Sequence, residues 1–301
     1  MMTSAVAVCG QLRFACVKSP DSIRQRHKVG RVLRNELILT ELEALYLLTK
    51  GLIAPEDGAP KERSLFKLLK SESDIRDLQV YANLKSLGFY VRKEPEGLSF
   101  RRDSTREYSR PVRIAMEDSF VSFAELNCTL PTIWATLDDQ GDITYFISEP
   151  WEPSGTVDPP GHGESIVEVG EISFLDKNLG IWMGEEFYGL RLLNRNEREY
   201  FQGKLKTIEA AVFADLVSRR CIVKTGFKYG CNFRVYLKSL EDHAELLVST
   251  LREREEWFKV SRAVRLAHAV RKFMVFADEV NGKIRYVRLT RISQEYLKNQ
   301  T

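Results

Sequence analysis

Residues 227–248 read FKYGCNFRVYLKSLEDHAELLV, and residues 261–276 read SRAVRLAHAVRKFMVF. The alternation at 233–237 predicts a strand. The apolar run that follows His243 predicts a helix over 243–251, and a second helix is expected over 260–270. Strands at 274–277 and 284–289 are joined by Asn281-Gly282, a strong two-residue hairpin signal. Upstream, helices over 194–203 and 207–219 run into a short strand at 221–224. Helices and strands interleaved in this way place the chain in the α+β or mixed α/β class.

The first half repeats the order, with helices over 40–50 and 74–86 and a strand at 89–92. YANLKSLGFYVR at 81–92 lines up with FADLVSRRCIVK at 213–224. Leu39, Glu43 and Tyr46 match Leu193, Glu197 and Tyr200, and GDITY at 141–145 matches GKIRY at 282–286. Three matches in the same order predict an internal duplication. Between the copies, EPSGTVDPPGHG at 152–163 is too dense in Pro and Gly for a helix or central strand, so it reads as a linker, with His162 solvated inside it. The expected boundaries are 1–93 and 94–151 for the two domains of the first copy, 152–163 for the linker, and 164–222 and 223–301 for the second copy.

A chain of 301 residues suits two or more domains, and a hydrophobic share of 44% is ordinary for a globular protein. Five scattered cysteines without a CxxC pair read as reduced thiols in the cytoplasm, not as a disulfide frame or zinc site. The four histidines form no HxH or HxxxH pattern, so no metal site is expected. No apolar run approaches the ~20 residues of a membrane span, and the N-terminus lacks the pattern of a signal peptide. Charge is distributed unevenly. Residues 261–301 hold nine Lys and Arg against three acids, and residues 111–151 hold one base against seven acids. A basic surface of that size attracts a polyanion or an acidic partner, and an acidic complement lies in the same chain.

Tyr236, His243 and Lys272 stand among a row of arginines in the second copy. Singly, each has an ordinary explanation: a packing tyrosine in a strand, a histidine at a helix start, a surface lysine. Together they suit metal-free cleavage of an RNA phosphodiester by its own 2′-hydroxyl. That reaction needs a base for the 2′-OH, an acid for the departing 5′-oxygen and a cation for the added phosphate charge. A phenol loses its proton near pH 10, so a tyrosine base needs cations beside it. Tyr229, in a Gly-bounded loop, is the rival to Tyr236.

The segment resembles the archaeal tRNA-splicing endonucleases. The resemblance rests on KTGFKYG at 224–230, FRVY at 233–236, HAE at 243–245, SRAVRLA at 261–267 and VRK at 270–272, and it is specific over roughly 190–290. It implies Tyr236 as base, His243 as general acid and Lys272 as electrostatic stabiliser, with no metal and no cofactor. It implies a nuclease-like C-terminal domain in each copy, active only in the second: the counterpart of Lys272 is Pro131, and no histidine occurs between Gly88 and Trp151. It implies that Arg265 and Arg288 clamp an extruded base, with Arg285 as a substitute for Arg288, and that Arg262 and Arg271 add to an RNA-binding face. His268 has no implied role. The acidic loop of Asp138, Asp139 and Asp142 would enter a basic groove of a partner, making a homodimer of duplicated chains that cuts precursor tRNA at a bulge-helix-bulge and leaves a 2′,3′-cyclic phosphate and a 5′-hydroxyl.

Two rival readings differ in class. A metal-dependent nuclease would carry a carboxylate pair with a Glu/Asp-x-Lys signature, and no such tripeptide occurs. A non-catalytic RNA-binding subunit would lack part of the Tyr, His and Lys set.

Overall fold

The computed structural model describes residues 5–103, 107–109, 111–160, 166–176 and 182–299. His162, at the end of the linker, lies outside the described residues. The first half runs β1 (Val6–Cys9), β2 (Leu12–Cys16), α1 (Pro20–His27), β3 (Arg31–Leu33), β4 (Glu36–Ile38), α2 (Glu41–Thr49), β5 (Ile53–Pro55), α3 (Lys61–Leu68), α4 (Glu72–Ser86), β6 (Tyr90–Glu94), β7 (Gly97–Arg101), β8 (Val112–Met116), β9 (Phe120–Val121), α5 (Phe123–Leu126), β10 (Thr132–Leu137) and β11 (Ile143–Trp151). The second runs β12 (Ile166–Val169), β13 (Ile172–Asp176), β14 (Glu185–Phe187), β15 (Leu190–Leu192), α6 (Arg195–Gln202), α7 (Ile208–Ser218), β16 (Ile222–Thr225), a 3₁₀ turn (Phe227–Tyr229), β17 (Phe233–Tyr236), β18 (Leu246–Thr250), β19 (Glu255–Glu256), α8 (Trp257–Ala269), β20 (Phe273–Val280), β21 (Lys283–Ile292) and α9 (Gln294–Asn299). The class is mixed α/β, as the sequence predicts.

Two compact units share the chain: Met1–Met116, Thr132–Tyr145 and Ile292–Thr301 form one, and Glu117–Pro131 with Phe146–Arg291 the other. In the first unit, β3-β4-β1-β2-β5 form one sheet, and β6, β7, β8 and β10 are neighbours in that order, with a parallel step from β8 to β10. In the second unit, β12-β13-β15-β14 form a sheet, and β16, β17, β18, β20 and β21 follow one another, with a parallel step from β18 to β20. Helix α8 supplies the crossover that such a parallel step requires.

Equivalent positions make equivalent contacts. Thr40 and Glu43 close a capping box on α2, and Asn194 and Glu197 close one on α6. The same glutamates each accept a backbone N–H from a glycine, Gly30 at 2.8 Å and Gly184 at 3.0 Å. Tyr46 packs edge-on against Tyr81, and Tyr200 against Phe213. The Tyr145 hydroxyl donates to Asn83 at 3.0 Å, and the Tyr286 hydroxyl to Asp215 at 2.6 Å.

The core of the second unit joins Phe213, Leu216 and Val217 of α7 to Val235, Val248, Val275 and Tyr286. The opposite face of β20 and β21 packs under α8, whose Val260, Val264 and Ala267 are buried. The helix expected over 243–251 is absent: Leu246–Thr250 is the strand β18, and His243 lies in the loop before it. A short apolar run flanked on both sides by strands is read alike as buried helix or buried strand, and here pairing with β17 and β20 satisfies its backbone.

Candidate active site

Strand register brings Tyr236 and Lys272 to one end of one sheet, and the loop before β18 carries His243. Tyr236 closes β17 opposite Ile222, Val235 faces Leu246, and Leu246 faces Phe273. Glu245 therefore stands between Tyr236 and Lys272 in neighbouring chain segments. Its N–H donates to the Val235 carbonyl at 3.1 Å, and its own carbonyl accepts from Phe273 N–H at 3.0 Å. Its carboxylate accepts the N–H of Leu237, the residue after Tyr236, at 3.0 Å. The Lys272 ammonium donates to the Ala244 carbonyl at 2.6 Å. His243, next to Ala244, is exposed. Glu245 had no role in the sequence reading. Its place in the HAE block at 243–245, two residues after His243, was the signal.

Tyr236 is 8% exposed and packs with Ile222, Ala244, Val157 and Trp182. The Arg234 guanidinium lies 6.0 Å from its ring centre, two residues back on the same strand face. Part of the predicted linker forms an ordered strap along this edge. Thr156 donates its N–H to Leu237 O at 2.9 Å, and Gly155 N–H donates to Arg219 O at 2.9 Å. A Cβ on Gly155 would fall 2.1 Å from Arg220 O, so the strap approaches too closely for any other residue. The Tyr229 ring centre lies 6.0 Å from the Lys272 ammonium. Burial pushes the nearby Cys221 and Cys231 thiols up to about 11, which keeps them protonated and inert as nucleophiles.

The arginines fall on two faces. Arg262, Arg265 and Arg271 are exposed along α8 and just beyond it. Arg271 holds a left-handed backbone with φ 56°, where glycine is usual. Arg288 follows Tyr286 by two residues and so shares its α7-side face. It is paired with Glu149 at 2.7 Å and lies 4.2 Å from the Trp151 ring centre and 5.2 Å from that of Phe273. Arg288 and Arg265 therefore lie on opposite faces of the sheet. Arg285 reaches Glu152 at 3.7 Å. By the same alternation, Arg285 and Arg291 of β21 both fall on the face opposite Arg288, and of these two Arg291 lies nearer Lys272. Continuing the Met274–Leu289 register puts it opposite Lys272, and it lines a cavity of about 540 Å³ with His268, Arg271 and Lys272.

In the first unit, Asp138 shapes the acidic loop. One of its carboxylate oxygens accepts N–H groups from Gln140 at 3.1 Å and Asp142 at 2.8 Å, while Asp139 and Asp142 are exposed. Among the described residues, no helix is long and apolar enough to cross a membrane.

Residues 207–286, which span Tyr236, His243 and Lys272, match the family model described as tRNA intron endonuclease, catalytic C-terminal domain. The tRNA-splicing endonuclease of Thermoplasma volcanium is 37% identical over 273 residues, covering 90% of this chain and 92% of that protein. That of Picrophilus torridus is 30% identical over 275 residues, covering 91% and 92%. That of Haloferax volcanii is 27% identical over 349 aligned positions, covering 94% and 99%.

Proposed function

Because the chain belongs to the tRNA-splicing endonuclease family, we propose that it cuts precursor tRNA at intron boundaries by transesterification at Tyr236, His243 and Lys272. Tyr236 takes the proton of the 2′-hydroxyl, and that oxygen attacks the adjacent phosphorus. The bond from phosphorus to the 5′-oxygen breaks, and His243 protonates the leaving oxygen. Lys272 stabilises the extra charge on the five-coordinate phosphorus. The products are a 2′,3′-cyclic phosphate and a 5′-hydroxyl. The observation that carries this reading is the Lys272–Ala244 hydrogen bond, which ties the lysine to the loop that holds His243 beside the end of β17.

The matching contacts made by Glu43 in the first half and Glu197 in the second, and likewise by Tyr145 and Tyr286, support a tandem duplication, of which we assign activity to the second copy. Two such chains form a cytoplasmic homodimer in which the Asp139 and Asp142 loop enters a basic groove of the partner. For the base clamp we assign Arg265 with Arg291, the β21 arginine that lies opposite Lys272 in register.

The test is cleavage of a bulge-helix-bulge RNA in excess chelator, with end-group analysis. Cleavage persists in chelator and stops when the cut position carries 2′-deoxyribose. Products ending in a 3′-hydroxyl would overturn the scheme.

A further inference from the structure

The turn at Phe227–Tyr229 is built to hold an apolar ring in water. Phe227 is 86% exposed. A single exposed apolar residue is ordinary on a mobile loop, but this turn is fastened at every point. Gly226 N–H donates to Asn232 O at 3.0 Å, and Tyr229 N–H donates back to Gly226 O at 2.8 Å. The single Cys231 S–H lies within reach of two carbonyl acceptors, Gly226 O at 3.5 Å and Phe233 O at 3.4 Å. Phe227 N–H is held by the Thr225 hydroxyl at 3.3 Å. A Cβ on Gly226 would lie 2.4 Å from Cys231 Sγ, so the turn closes tightly only around glycine. Gly230, at φ 64°, ends it.

The turn stands beside the reacting groups. Tyr229 is the residue whose ring centre lies 6.0 Å from Lys272 Nζ. Phe227 is two residues away, within about 7 Å along the chain. Lys228, between them, is exposed and cationic.

We propose that Phe227 is a stacking platform for an unpaired nucleobase next to the cleaved phosphate. The inference rests on the RNA-cleaving reading above. A bulged RNA offers bases that are free to leave the helix, and an aromatic side chain accepts any of them because every base has a π-face. A fastened turn presents the ring without losing loop entropy on binding, and Lys228 adds attraction for the backbone. Phe227 thus sets where the strand lies, and Lys272 and His243 act on it.

The probe is a bulge-helix-bulge RNA with 2-aminopurine in the bulge and 2′-deoxyribose at the cut position, so that binding is read without cleavage. Stacking on Phe227 quenches the fluorescence. Phe227→Ala removes the quench and raises KM for the cleavable RNA by about 5- to 100-fold, with kcat within about threefold. Phe227→Trp restores both. Unchanged quenching and KM in Phe227→Ala would overturn the proposal. So would a sedimentation shift in that variant without RNA, which would place the ring in a contact between copies. If the wild-type protein quenches the probe yet leaves 3′-hydroxyl ends, the catalytic scheme fails and the platform stands.

Discussion

The Lys272 ammonium donates a 2.6 Å hydrogen bond to the carbonyl oxygen of Ala244, the residue that follows His243. One side chain therefore both supplies a positive charge and fixes the approach of the histidine loop. Lys272→Ala removes both functions while leaving β20 paired to β18 through backbone bonds. Single-turnover cleavage is expected to fall by roughly 10²–10³-fold, with folding stability changed by about 1 kcal/mol. A loss of rate that follows loss of folded protein at the assay temperature would assign Lys272 a structural role only.

Arg288 and Arg291 lie three residues apart on β21 yet point to opposite faces. Arg291 is opposite Lys272 in register, whereas Arg288 is engaged by Glu149 and Trp151. Lysine keeps the charge and loses the plane that stacks and binds in a fork. Arg291→Lys is expected to slow cleavage about tenfold with no change in folding. Arg288→Lys is expected to lower the stability of its unit by about 1 kcal/mol in chemical denaturation and to leave the cleavage rate within about threefold. The reverse pattern would return the clamp to Arg288.

Much of this was legible in the chain itself. Helices α2, α6, α4 and α7 carry capping residues and apolar periodicity that any reader meets at Thr40, Asn194, Ser71 and Thr207. The Asn281-Gly282 turn was equally plain, since both residues take φ above zero. Strand β18 was not legible, because AELLVS lacks any polar alternation and its strand state depends on the two neighbours that flank it. The side of the sheet on which each arginine falls was hidden for a related reason. A shift of one residue in register moves a side chain to the other face, and the resemblance left Arg285 open beside Arg288 on that strand. The role of Glu245 was invisible because it acts through a backbone N–H, that of Leu237.

Lys85 offers a test of burial in the first unit. It is 8% exposed, donates to Lys28 O at 2.6 Å, and lies 5.1 Å from the Tyr81 ring centre. Burial, aided by the Lys28 charge and opposed by Glu43, pushes its ammonium down to about 8. The unfolded chain keeps its proton up to pH ~10.4, so the unfolded state binds more protons between those values. Stability therefore rises with pH across that window and is lost as pH falls through about 8, by on the order of 3 kcal/mol. Lys85→Met lacks this dependence. Urea midpoints at pH 7.5 and pH 10 should shift in favour of the wild type as pH rises, and parallel curves would refute the assignment.

The acidic loop is tested best by sparing the residue that shapes it. Asp138 holds the turn through Gln140 and Asp142 N–H groups, so replacing it would confuse a broken turn with a lost contact. Asp139 and Asp142 are exposed and carry the charge outward. Asp139→Lys with Asp142→Lys keeps the Asp138 carboxylate and the Asp142 backbone N–H that bond each other, and reverses the sign presented to a basic groove. Two chains with closed symmetry would feel the change at both contacts. Dimerisation and cleavage are expected to weaken together, more at 50 mM than at 500 mM salt, because repulsion between exposed charges is screened over ~10 Å at moderate ionic strength and less at lower. Sedimentation as a function of concentration, run beside cleavage assays on the same samples, measures both. A dimer of unchanged stability with full activity would remove the loop from the assembly and leave the −Asp139–Gln140–Gly141–Asp142− segment as a solvated hairpin end.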